Sequence, residues 1–130
     1  MTMPNKLART VARFDVLPAA LRPAALSLAL GKAVPFAGTA KIRFELLTQE
    51  KVVVSVKNHR RVQNHIRGLH AAAMALLAET ATGFCVGLNL PDDKLPLIKT
   101  LKVDYLRRAQ GDMRAVAILR PEQVEAIRTL

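Results

Sequence analysis

Residues 69–84 read LHAAAMALLAETATGF. Between His70 and Gly83 the only charged residue is Glu79, and alanines occupy many of the remaining positions. A stretch of this length that is apolar nearly all round predicts a helix buried on nearly all sides. Its alanines let neighbouring backbone come close. A sheet wrapped around the helix satisfies both properties. A membrane-spanning reading fails: the stretch falls short of the roughly 20 apolar residues a span needs, and Glu79 interrupts it.

Outward from this helix the pattern changes period. Upstream, Lys57 to Gly68 is polar and basic, a loop holding Asn58, His59, Asn64 and His65. Before it, Ile42, Phe44 and Leu46 alternate with Lys41, Arg43 and Glu45, which predicts a strand over Thr39–Leu47. Val52–Val56 is a second strand, joined to the first by a turn at Thr48–Glu50 as an antiparallel hairpin. Downstream, Pro91 to Pro96 is a loop. Leu101, Val103 and Tyr105 alternate with Lys102 and Asp104, predicting a strand over Thr100–Leu106. A turn at Gln110–Asp112 leads to a strand over Met113–Leu119, expected to pair with the one before it. Pro121 to Leu130 starts like a helix, with Pro121 at its first position.

The first 35 residues read as a helical arm. Leu7, Val11 and Phe14 fall at helical spacing, Pro18 and Pro23 suit helix starts, and Ala24–Leu30 is a helix that Gly31 ends. The arm is basic and apolar together, and packing on the domain's flank is preferred to a lid or a membrane-surface contact. Pro35 and Gly38 break the chain. The result is an α+β protein, an arm over 1–35 and one domain over 36–130 in which an antiparallel sheet covers one long helix.

The 130-residue chain fits one domain, and 51% apolar residues support a folded core. Its net charge of +10 favours anionic partners. Nucleic acid is the first thought, but 4% aromatic residues offer few stacking surfaces, and neither helix-turn-helix nor zinc-finger spacing occurs. A phosphorylated cofactor such as coenzyme A suits the charge equally. Cys85 is the only cysteine, which suits a reducing cytoplasm and reads as buried filler. No His or Cys cluster has metal-ligand spacing, no cofactor is implied, and no signal peptide is apparent, so a soluble cytoplasmic protein is expected.

Asn64, His70 six positions later and Glu79 nine beyond that surround the start of the buried helix. This pattern resembles the hotdog superfamily, specifically its phenylacetyl-coenzyme A thioesterase (PaaI-like) branch. That branch carries an Asn, a His-Gly-Gly helix start and an acid within the helix. The stretch Leu101–Asp112 resembles the strand and turn that follow. More closely, the chain resembles a hotdog branch described as a domain of unknown function. Ala71 and Ala72 stand where the branch has glycines, Glu79 where it usually has Asp, and Arg108 where it has Pro. Hotdog sheets usually have five or six strands, and four are counted here, with a last strand expected beyond them.

The resemblance implies an acyl-coenzyme A thioesterase. The helix start, with backbone amides from Leu69, Ala71 and Ala72, would hold the developing oxyanion. Glu79 would act as base or nucleophile. Nine residues of helix turn through about 900° and advance roughly 13 Å, so Glu79 cannot easily reach its own helix start. The site therefore requires a homodimer, in which Glu79 of one chain faces the His70 end of the other; pairing of dimers into tetramers is left open. Asn64 would orient water or the thioester carbonyl, or close an Asx turn in its loop. His70 would fix the loop, contact substrate or cap the helix. Arg60, Arg61, Arg107 and Arg108 are candidates for the coenzyme A phosphates, against a plain reading as surface charge. The alternatives are a non-catalytic hotdog protein that binds acyl-coenzyme A and, with less support, a nucleic-acid-binding protein.

Overall fold

The computed structural model describes residues 3–130. The long helix is present as α4, Ala71–Gly87, preceded by α1 (Lys6–Ala12), α2 (Arg22–Ala33), α3 (Pro35–Thr39), β1 (Arg43–Leu47) and β2 (Lys51–Val56). It is followed by β3 (Met113–Ile118) and α5 (Pro121–Arg128). The three strands form one antiparallel sheet in the order β1-β2-β3.

Helix α4 packs on β2 and β3. Its buried residues Leu77, Thr80, Ala81 and Cys85 recur at helical spacing and form one stripe. The opposite side, with Ala72, Ala75, Glu79, Thr82 and Val86, is exposed or half-buried. Burial on nearly all sides is thus supplied by this chain on one side only. The reason is the size of the sheet: three strands face one stripe of a helix, and the rest of its surface stays open.

The sheet's helix-facing side carries Phe44, Val54 and Ala115 in one cross-strand row, with Val52 and Ala117 in another. Phe44 is fully buried and meets Phe84 of α4 edge-to-face, with ring centroids 4.9 Å apart. Burial of Val52, Val53, Val54 and Val56 explains the position of β2. A continuous apolar run is what a strand covered on both faces and flanked on both edges requires.

That run corrects the expected second hairpin. Residues 100–106 form no strand, and β3 pairs with β2 through six residues, Lys51 to Val56 opposite Ile118 to Met113. Among the described residues three strands replace the four expected. The alternation at Leu101, Val103 and Tyr105 serves another purpose: Tyr105 reaches back to the start of α4, while Leu101 stays 48% exposed.

The arm is tied in by specific polar contacts. Asn5 caps α1 by accepting from the Ala8 amide, and its Nδ2 donates to the carbonyls of Gly87 and Leu90, both at 2.7 Å, beyond the last turn of α4. Helix α2 covers the edge of β1, where the Phe44 amide donates to Ser27 Oγ at 2.8 Å. Gly31 does not end α2, which runs on to Ala33. A side chain is absent there because α3 returns against it: a Cβ on Gly31 would stand 3.1 Å from Gly38 Cα, and one on Gly38 2.4 Å from the Gly31 carbonyl oxygen. Pro35 and Gly38 thus shape a short helix, Pro35–Thr39, rather than a plain break.

Among the described residues, no helix is long and apolar enough to cross a membrane.

Candidate active site

The start of α4 is held by a loop that the sequence closes on itself. Asn64 Oδ1 accepts from the amides of Ile66 and Gly68, both at 3.0 Å, and the Asn64 amide donates to the Gly68 carbonyl at 2.9 Å. This is an Asx turn. Arg67 takes a positive φ of 62° within it. The Asn64 oxygen is fully engaged, and among the described residues its Nδ2 donates to no partner. The one polar group it can offer outward is therefore an N–H donor.

His70 is the N-cap of α4, with Nδ1 accepting from the Ala72 amide at 2.9 Å. An acceptor Nδ1 leaves the proton on Nε2, so the exposed ring presents an N–H outward. While it caps the helix, His70 is a donor and not a base.

Of the amides expected to form the oxyanion site, two are used within the chain. Leu69 donates to the Ala109 carbonyl at 3.1 Å, and Ala72 donates to His70. Leu69 itself is buried. The Ala71 amide, at the first helical position, has no protein acceptor among the described residues, and Ala71 is exposed. The helix start thus offers one free amide rather than three, beside the outward donors of His70 and Asn64.

Residues 105–112 form a strap that locks this arrangement. Tyr105 donates to the Ala71 carbonyl at 2.8 Å, and Arg108 donates to the Ile66 carbonyl at 3.2 Å. Asn58 Nδ2 donates to the carbonyls of Gln110 and Arg67, and the Asn58 amide donates to Asp112 at 2.7 Å. Sequence reasoning gave neither Tyr105 nor Asn58 a role. Asn58 precedes the His59–Val62 turn, and no motif in the sequence marks it.

Gly68 lies under the strap. A Cβ there would stand 2.4 Å from the Ala109 carbonyl oxygen, the acceptor of the Leu69 amide. Gly68→Ala must push the strap off the helix start. The expected loss is about 1–3 kcal/mol in urea unfolding, with faster hydrogen exchange at the Leu69 amide.

Glu79 sits on the open side of α4, half-buried, eight residues beyond Ala71 and thus about 12 Å along the helix axis. Its carboxylate lies over Gly83: a Cβ there would approach Glu79 Oε1 to 3.1 Å. Among the described residues no hydrogen bond or ion pair holds that carboxylate. The chain brings Asn64, His70 and the Ala71 amide together at one end of α4 and leaves Glu79 apart from them on the helix's outward face.

Arg60 and Arg61 lie exposed in a 3₁₀ turn, Arg60–Val62, and Arg107 is exposed on the strap beside Arg108. None of the four forms an ion pair among the described residues. No three His, Cys, Asp or Glu side chains gather as a metal site among the described residues.

Cys85 is buried against β3, and burial pushes its thiol pKa up. A raised pKa keeps it protonated and unreactive. Labelling by a maleimide in native buffer at neutral pH is expected to be at least tenfold slower than in denaturant, measured by intact mass. Stability tied to this group is present below the ordinary thiol pKa and falls as pH rises through the elevated one.

A family model described as Domain of unknown function (DUF4442) matches residues 22–130. The chain belongs to this family. No curated protein matches the sequence. Two solved structures are similar to the DUF4442 chain across most of its length. The structural-genomics crystal structure of APC5556 shares 26% identity and superposes with a TM-score of 0.71, covering 88% of this chain and 75% of its own. A Pseudomonas aeruginosa protein of unknown function, PA5026, named a probable thioesterase, shares 25% identity with a TM-score of 0.69, covering 87% and 73%. The helix-on-antiparallel-sheet architecture is that of a hotdog-like thioesterase fold.

Proposed function

We propose that this DUF4442 protein is an acyl-coenzyme A thioesterase of the PaaI-like kind, acting as a cytoplasmic homodimer. One observation carries the reading. The donors Ala71 N–H, His70 Nε2–H and Asn64 Nδ2–H lie at one end of α4, while the unpartnered Glu79 carboxylate sits about 12 Å along it, on a face lined by alanine, glycine and threonine. Such a small-residue face lets a second copy approach closely. Two copies set side by side in opposite directions would bring each Glu79 to the other's helix start.

In that arrangement the thioester carbonyl oxygen lies against the Ala71 amide and the positive end of the α4 dipole, where negative charge is stabilised as the tetrahedral species forms. His70 and Asn64 add donors. Glu79 takes a proton from water or attacks the carbonyl itself. Arg60, Arg61, Arg107 and Arg108, free of ion pairs, suit the phosphates of the leaving coenzyme A. The similarity to a protein named a probable thioesterase supports the reaction class.

A second reading is kept on a specific observation. Ala71 and Ala72 expose methyl groups at the helix mouth where the related branch has glycines. Those methyls narrow the approach of the carbonyl and favour a protein that holds acyl-coenzyme A without cleaving it.

The test is thiol release from short, medium, long and aromatic acyl-coenzyme A esters, with light scattering to report the assembly state. Turnover by a dimer is the expected outcome. A folded dimer that binds esters and turns over none would favour the carrier reading, and a monomer that turns over at full rate would remove the two-chain site. Nucleic-acid binding that stays tight at physiological salt with a steep salt slope would overturn both.

A further inference from the structure

A large groove lies away from the α4 helix start, and none of Asn64, His70 or Glu79 lines it. It is a groove of about 1030 Å³ between α2 and the end of the sheet, at the upper end of the roughly 300–1,000 Å³ of small-molecule sites. Its apolar surface is offered by Met113, half-buried, and Leu28, 67% exposed, with Ile42 and Val56 buried behind them.

The rim is cationic. Lys32, Lys41, Arg43, Lys57 and Arg114 line the groove against two carboxylates, Glu45 and Asp112. Both carboxylates are engaged: Glu45 pairs with Arg43 at 3.1 Å and accepts from Ser55, and Asp112 accepts from the Asn58 amide. Lys32, Lys41, Lys57 and Arg114 have no ion-pair partner among the described residues. Arg43, Ser55 and Arg114 stand in one cross-strand row, which puts the two guanidinium stems on either side of a hydroxyl.

Lys41 is an independent sign. It holds a positive φ of 56° just past α3, where its amide and that of Ile42 donate to Gly38 and Ala37. This helix-ending geometry favours glycine, and a lysine held in it is strained. The strained position places its charge on the groove.

The lining contains no Phe, Tyr or Trp, and its one ring, His59, is half-buried and hydrogen-bonded through Nε2 to the Ala40 carbonyl at 2.9 Å, which leaves little aromatic surface for a nucleobase to stack on. An aliphatic floor under a rim of unpaired cations fits an aliphatic chain that ends in an anion. We propose that this groove binds a fatty carboxylate, with its chain on Leu28 and Met113 and its head group among Lys41, Lys57 and Arg114. The site does not depend on thioester hydrolysis.

The experiment titrates the full chain with dansyl-labelled undecanoic acid and competes with decanoate, decanol and adenosine 3′,5′-bisphosphate. Saturable binding displaced by decanoate, and about tenfold less well by decanol, is expected, since loss of the charged hydrogen bonds is worth roughly that factor. Lys41→Gly and Arg114→Ala should each weaken binding several-fold. Lys41→Gly should do so without lowering Tm, because glycine relieves the positive φ, so lost binding cannot be laid to misfolding. Glu79→Ala should bind as the parent does, which separates this groove from the α4 site. No saturable binding, binding unchanged in both groove variants, binding lost in Glu79→Ala, or displacement by the bisphosphate in place of decanoate would each overturn the proposal.

Discussion

Under the proposed mechanism Glu79→Ala is expected to lower kcat for acyl-coenzyme A hydrolysis by roughly 10³-fold with little change in KM, because it would remove the group assigned to the chemical step and leave the helix-start donors in place. The same change should move Tm by no more than about 2 °C. The carboxylate is half-buried, lies over Gly83 and is held by no partner among the described residues, so its removal leaves no orphaned donor. This split between rate and stability is the useful feature of the experiment. A residue kept for structure would show the opposite pattern. Steady-state kinetics beside thermal melts of parent, Glu79→Ala and Glu79→Gln decide it, and full activity in Glu79→Ala would remove the carboxylate from the mechanism.

Phe44→Ala should cost about 3–5 kcal/mol, read as a lower urea midpoint at unchanged slope. Phe44 is fully buried, faces Phe84 edge-to-face at 4.9 Å, and stands in the same cross-strand row as Val54 and Ala115. Its amide is also the group that Ser27 receives, so the residue joins three layers: arm, sheet and central helix. Leu46→Ala, just past an irregularity in the β1–β2 register between Phe44 and Leu46 and 40% exposed, is the matched control and should cost under about 1 kcal/mol. Equal losses in the two variants would mean that the Phe44 cluster is not the centre of the fold.

Much of the fold was legible in the sequence because its signals are local. The alanine-rich run produced α4, the alternation around Phe44 produced β1, and Pro121 marked the start of α5. The pairing of β3 was misread because hairpin reasoning joins neighbours in sequence. A contrary signal lay in β2: Val52, Val53 and Val54 are apolar without alternation, the pattern of a strand covered on both faces, which suits the middle of a sheet better than its edge. The extent of α2 was misread at Gly31 for a related reason. A glycine reads as a stop, yet here it answers a close approach from Gly38, a tertiary demand.

The candidate site was legible in part. Asn64, His70 and Glu79 are candidates through the resemblance that their spacing carries, and the structure adds what each atom is engaged in. Spacing could not reveal that the Leu69 amide is taken by Ala109, forty residues away, or that Tyr105 and Asn58 bind the strap to the helix start. Those contacts depend on where residues 105–112 cross the loop, and that crossing is set by the sheet order and not by any local motif.

The contact between Ser27 and the Phe44 amide has a consequence for how the sheet meets other chains. It gives the three strands a direction of growth. On the β1 side the edge is sealed by a helix, and a visiting strand would have to displace it. On the β3 side no strand pairs with Met113–Ile118 from beyond among the described residues, and Val116 and Ile118 are 46% and 66% exposed there. Any strand recruited to this sheet, whether in orderly assembly or in aggregation, must therefore arrive from the β3 flank, and solubility is governed by what occupies that flank.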